Sequence, residues 1–201
     1  MNNNYINEIT NRRSIYNLGK NVSLTQDELV DIIEEAIRQS PSAFNSQSVR
    51  AIILFDKAHD EFWEGTLDIL HGEVPNETAF ENTKNKVEGS FKSGVGTVLF
   101  FTDEKIIDKL KNDFPIFSDN IDMFGEHALG IANANVWTAL ASAGVGASLQ
   151  HYNPIVDKFV QDHFDVPANW TLKSQMPFGS IEAPADGKDF MTDEDRFRVI
   201  K

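Results

Sequence analysis

From residue 29 onward the chain sets Leu29, Ile32, Ile33, Ala36 and Ile37 at the 3.6-residue spacing of one helix face. Thr25-Gln26-Asp27-Glu28 stands just ahead as a capping box, with Thr25 at the N-cap and Glu28 reaching back. Ser40-Pro41 stops this helix, because the residue before a proline disfavours helical backbone. Val49 to Phe55 then reads as a buried strand, and Val95 to Phe101 as a second, bounded by Gly94 and Asp103. Between them, residues 57–72 and 78–89 predict two helices divided at Pro75-Asn76. Short helices are expected over 3–12 and 104–112, and a loop over 113–120.

The longest signal runs from Asp122 to Ala143, rich in alanine. Its apolar positions Leu129, Ile131, Ala132, Val136 and Leu140 lie nearly all round, which predicts a helix buried on most sides. Gly144-Val145-Gly146 closes it and Ala147 to Gln150 resumes as strand. Residues 154–164 predict a helix opened by Pro154, and Trp170 to Phe178 a last strand. From Glu182 onward the tail is polar and expected to be extended. There is no internal repeat, low-complexity tract or dividing linker. Helices around a few apolar strands predict one layered domain over 1–201, of the α+β (α/β layered) class.

Composition narrows the chemistry. With 41% hydrophobic and 10% aromatic residues, the 201-residue chain can bury a real core. Its net charge of -13, from 31 acidic against 18 basic residues, disfavours nucleic acid and anionic membranes as partners. Any anionic ligand must therefore be held by cations gathered locally. The absence of cysteine excludes disulfides, thiolate zinc sites, iron–sulfur clusters and thiol catalysis. No stretch approaches the roughly 20 apolar residues needed to cross a bilayer. Met1-Asn2-Asn3-Asn4-Tyr5 lacks the regions of a signal peptide, so a soluble, cytoplasmic protein is expected.

No G-x-G-x-x-G, Walker A, H-E-x-x-H or G-x-S-x-G pattern is present, and the five histidines make no metal-ligand spacing. Four segments could carry chemistry. Arg12-Arg13-Ser14 can grip a phosphate with two guanidiniums and a hydroxyl, or simply complement a helix C-terminus. The uncharged run Ser40 to Ser48 offers hydroxyls and amides to a flat heterocycle, or is a plain connector. Ala143 to Asn153 combines two glycines, which cap a helix, with polar residues after a short strand. Lys188, Arg196 and Arg198 return cations to an acidic tail, where solvated surface is the ordinary reading.

In this order and spacing the four segments resemble the nitroreductase family, and Ser40-Pro41-Ser42-Ala43-Phe44-Asn45-Ser46-Gln47 is the specific part. The likeness covers nearly the whole chain and is greatest to a compact branch of bacterial and fungal stress-related nitroreductases. It implies a nitroreductase-like fold: a central, mainly antiparallel sheet flanked by helices, with the long Ala-rich helix at a dimer interface. It implies FMN as cofactor. Arg12, Arg13 and Ser14 would meet its phosphate, ribityl chain and pyrimidine edge; Asn45 and Gln47 would bond near N5 and the ring edge, with Pro41 and Ser42 beside them. Gln150 and His151 would line the ring, and Lys188, with Arg198 second, would be the basic phosphate residue. The loop comes largely from the second subunit, so the site would exist only in the homodimer. The implied activity is ping-pong, two-electron reduction of nitroaromatics, quinones or related small aromatic acceptors by NAD(P)H, with no side-chain nucleophile. Phe44, Phe117 and Phe124 would shape the substrate side or pack the core. The alternative is a non-enzymatic flavin-binding or redox-stress protein. Tyr16 stands where the family often carries a second basic residue after Arg-Arg-Ser.

Overall fold

The computed structural model describes residues 3–201. Its centre is strand β3 (Gly96–Asp103), buried at every residue. Such a strand has no solvated face or edge, so neighbours must supply both its ladders and both its covers. β2 (Val49–Phe55) pairs with it on one side, Val49 opposite Thr102 through Phe55 opposite Gly96. β5 (Trp170–Ile181) pairs on the other, with a register shift between Phe100 and Phe101. β1 (Leu18–Gly19) and β4 (Gly146–Ala147) both add to β5, and every strand pair is antiparallel.

The helices cover the two faces separately. On one, α3 (Asp56–Glu73), α4 (Glu77–Val87) and α7 (Asp157–His163) bury Phe62, Trp63, Val87 and Val160 against Leu54, Leu99, Phe101 and Leu172. On the other, α2 (Gln26–Arg38) and α6 (Ser118–Ser142) pack Leu29, Ile33, Val136 and Leu140 against Val98, Phe100, Met176 and Phe178. α1 (Asn4–Asn11), α5 (Glu104–Asp113) and α8 (Asp193–Arg196) complete the helices.

Several expectations shift. The capping box at Thr25 is present with both its bonds. The stretch expected as loop over 113–120 instead holds a tight turn at Pro115–Phe117, and α6 starts at Ser118. The strand expected over 147–150 pairs regularly only at Gly146–Ala147; beyond it Gln150 alone bridges Gln175. The helix expected from Pro154 begins at Asp157, because residues 154–157 close as a turn in which the Asp157 N–H meets the Pro154 carbonyl. The tail is not wholly extended: Thr192 caps a single turn, α8. β1 has no signal of its own, since two residues carry no period. α6, expected to be covered nearly all round, leaves one stripe open in the single chain, with Met123, His127, Ile131 and Ala134 exposed. Among the described residues, no helix is long and apolar enough to cross a membrane, and no acidic or histidine cluster could hold a metal.

One polar chain crosses the α3 core. The indole N–H of Trp63 donates to the Thr97 hydroxyl (2.9 Å), which in turn donates to His59 Nδ1 (2.9 Å). His59 Nε2–H donates to the Lys92 carbonyl at 3.1 Å, an acceptor that requires the neutral Nε2–H tautomer. Burial pushes the His59 pKa down, and the bond to Lys92 opposes it only in part. A base with a depressed folded pKa is stabilising while neutral, and that contribution is lost as acid protonates the unfolded chain. Unfolding free energy should therefore fall as pH drops below about 6.5, by up to about 1.4 kcal/mol per pH unit. Denaturant melts across this range should show a shallower slope for His59→Gln; an unchanged slope would mean His59 does not titrate differently in the two states.

Candidate functional site: a basic cleft and a strained loop

Two parts of the surface gather the candidate residues, and both flank α6. The larger is a cleft of about 800 Å³ walled by Arg12, Arg13, Ser14, Tyr16 and Asn17 on one side. Ala134 and Trp137 of α6 form its floor, and Ala183 to Lys188 its far wall. Arg12 is the residue at which α1 ends, its backbone N–H bonded to the Glu8 carbonyl. Its guanidinium lies 4.4 Å from the Trp137 ring centroid, and burial, then the neighbouring Arg13, lowers its pKa. Arg13 donates to the Asp186 carbonyl at 2.7 Å, tying the tail across the cleft. Ser14 pairs with Ala147 in a parallel bridge, and the Ile15 N–H donates to the Ala147 carbonyl at 2.9 Å.

This placement depends on how α6 ends. Gly144, at φ +77°, takes the left-handed conformation, the Gly144 N–H meets the Ala141 carbonyl, and the Val145 N–H reaches back to Leu140. That pattern is a Schellman cap, which turns the chain sharply into β4. Gly146 is then packed so closely that a Cβ would lie 2.9–3.1 Å from Ile181 and Ile15. The glycines expected to cap a helix therefore also bring the Arg12–Ser14 segment against β4.

Three cations converge on this cleft, while Lys84, Lys86, Lys105, Arg196, Arg198 and Lys201, also without a carboxylate partner among the described residues, do not line it. Among the described residues, Arg12, Arg13 and Lys188 have no carboxylate partner, whereas Lys20, Arg38, Arg50, Lys57, Lys92, Lys109, Lys111, Lys158 and Lys173 are ion-paired. Lys188 also stands 5.1 Å from the Phe190 ring centroid. In a chain of net charge -13, three uncommitted cations and a hydroxyl around one cleft suit a small dianion such as a phosphate monoester.

The second part is the loop from Ser40 to Ser48. Three of its residues, Phe44 (φ 56°), Asn45 (φ 50°) and Gln47 (φ 51°), hold left-handed backbone without being glycine. The loop imposes this through its own bonds. The Ser42 hydroxyl accepts from the Gln47 N–H (2.9 Å) and the Ser42 carbonyl from the Asn45 N–H (3.0 Å). Ser40 is held from both sides: it donates to Ala36 of α2 and accepts from the Asn135 amide of α6. Arg50 donates to the Gln47 carbonyl at 2.7 Å and pairs with nearly buried Asp103 at 2.9 Å. The result turns Phe44 outward, 48% exposed, with one ring face stacked on Phe114 at 4.0 Å and Phe117 and Phe124 nearby. Backbone held in such conformations by surrounding contacts is found most often at ligand-binding and catalytic sites.

The cleft and the loop do not share a wall. Pro41 and Ser42 border a smaller hollow with Ala128 and Ile131, nine residues before Trp137 on α6 in the case of Ala128, or about 14 Å along the helix axis. Gln150 and His151 line neither: Gln150 is bonded through its backbone to Gln175 and through its amide to Ser148, and His151 is exposed. Arg198 is exposed on the tail and does not line the cleft, while Lys188 does. Sequence reading missed Trp137, Asn17, the 183–187 wall and Arg50. Trp137 did leave a signal, a lone indole N–H in a helix of small residues that must find an acceptor.

This sheet, with its long helix between a basic cleft and a polar loop, is the architecture of a known family. A sequence model of the nitroreductase family matches residues 9–180, and the chain belongs to that family. Nitroreductase CinD from Lactococcus lactis, solved in complex with nicotinic acid, is 44% identical with a TM-score of 0.91, covering 98% of this chain and 100% of CinD. CinD has also been solved in complex with 4-nitrophenol, at 43% identity and a TM-score of 0.89. The nitroreductase FRM2 of Saccharomyces cerevisiae is 36% identical over 190 residues, 94% of this chain and 93% of FRM2. The family is typically flavin-dependent and supplies oxidoreductases.

The strain in the loop is measurable. Gln47 is exposed and left-handed, so Gln47→Gly should raise unfolding free energy by about 1 kcal/mol. A urea midpoint that stays put or falls would show that the loop holds no such strain.

Proposed function

We propose that this protein is an FMN-dependent NAD(P)H oxidoreductase that reduces nitroaromatics, quinones or similar small aromatic acceptors, working as a homodimer. The uncommitted cations of the cleft are the observation that carries the reading. Arg12, Arg13 and Lys188 would neutralise the FMN phosphate, and the Ser14 hydroxyl would bond to it. The site fits this group: the cleft is large enough for the ribityl phosphate, and its Arg12 guanidinium is partly desolvated against Trp137. When bound, the flavin supplies the two-electron chemistry, accepting hydride from the nicotinamide and passing it to the acceptor.

The chain's own residues bind and orient. The loop presents the Asn45 and Gln47 amides, with Pro41 and Ser42 beside them, to the edge of a flat heterocycle. The outward ring of Phe44 offers a flat surface to an aromatic acceptor, in keeping with the 4-nitrophenol complex of CinD. Because the loop and the cleft share no lining residue, one chain's cleft would be completed by the loop of a second copy. The open stripe Met123, Ile131 and Ala134 on α6 supports this, as do exposed Phe190, Met191, Phe197, Val199 and Ile200 in the tail.

Two experiments test the reading. The purified protein should bind FMN with its visible absorption bands, and anaerobic NADH or NADPH should bleach them. Arg13→Ala should weaken FMN by about tenfold to a hundredfold. Flavin that binds but stays oxidised with millimolar nicotinamide would leave only a flavin-binding protein. Sedimentation should give a dimer, and Ile131→Asp should lose dimer and FMN together; a flavin-loaded monomer would defeat the shared site.

A further inference from the structure

Trp137 sits where three tertiary contacts converge. Its indole N–H is shared between the carbonyls of Arg13 (3.2 Å) and Ala147 (3.1 Å). Its ring face carries the Arg12 guanidinium at 4.4 Å. Its remaining surface lines the cleft. The Ala147 carbonyl also takes the Ile15 N–H, so one indole joins α6, β4 and the backbone on both sides of Ser14.

Adjacent guanidiniums repel, as the lowered pKa of Arg12 beside Arg13 reflects after burial. Gripping one phosphate requires both to stay near each other before the ligand arrives. The indole meets both needs: its ring stabilises the Arg12 charge, and its N–H fixes the Arg13 backbone from which the second guanidinium projects. Phenylalanine would keep the ring face but not the N–H, and leucine would keep neither. Nothing in these contacts reaches the ring-binding loop.

From this geometry we infer that Trp137 is the positioning residue of the phosphate end, and that it sets the preference of the site for FMN over riboflavin. The inference rests on the flavin reading above. It predicts a selective effect, since riboflavin has the same ring and ribityl chain but no phosphate.

The experiment is titration of FMN and of riboflavin into the apoprotein dimer of wild type, Trp137→Phe and Trp137→Leu, with folding of each checked by circular dichroism. Trp137→Phe should weaken FMN by about tenfold and Trp137→Leu by more, while riboflavin moves by less than about twofold. The FMN-to-riboflavin affinity ratio therefore collapses. Should the leucine variant not fold, the phenylalanine variant carries the test, because Trp137 is only half-buried and the ring volume is largely kept. Equal weakening of both flavins, or none, would overturn the positioning role. Wild type that binds neither flavin would instead overturn the flavin reading, and this role with it.

Discussion

Strand β3 must be dry on both faces and hydrogen-bonded on both edges, and the rest of the molecule satisfies that requirement. An antiparallel sheet commonly leaves one face to solvent, but here helices cover both. The two cores are distinct: aromatic on the α3 side, with Phe62, Trp63 and Phe91, and mainly aliphatic where α2 and α6 pack. The polar Thr97 is tolerated on the central strand because its hydroxyl is bonded to both Trp63 and His59. α6 also packs one face on the sheet, while Ala134 and Trp137 line the cleft.

Along α6 the division of labour is spatial. One side meets the Ser40–Ser48 loop, where Asn135 bonds to Ser40, and Trp137, two residues on and so about 200° round the helix, lies under Arg12. Against an acidic surface, the cleft is distinguished by convergence: Arg12, Arg13 and Lys188 line one hollow, so an anion entering it meets all three. The open stripe on α6 is mostly apolar, Met123, Ile131 and Ala134 being interrupted by exposed His127.

The loop shows how stability is exchanged for presentation. Left-handed backbone at Phe44, Asn45 and Gln47 is unfavourable, and Ser42, Arg50 and Asp103 offset it with bonds that converge on one short segment. Asp103 is itself anchored by the Asn169 amide at 2.6 Å and the Lys105 N–H at 3.1 Å. The bonds that hold the loop therefore come from residues that do not line the cleft.

What was legible in the chain was whatever short-range physics controls. The Thr25 capping box, the amphipathic face of α2, the apolar runs of β2 and β3 and the glycine stop after α6 are each decided within one or two turns of backbone. Arg12-Arg13-Ser14 and the Ser40–Gln47 loop could be singled out because their residue types are unusual for their setting. Long-range contacts decided the remainder. β1 and β4 are strands only because β5 lies beside them, and Pro154 falls in a turn that no helix signal excludes. Trp137 and Arg50 acquire their roles from partners 124 and 53 residues away in the chain. The cleft itself is an encounter of α1's end, α6 and the tail, and no local pattern encodes that meeting. Local sequence determined the elements and flagged the charges; tertiary packing determined which cations stay unpaired and what they face.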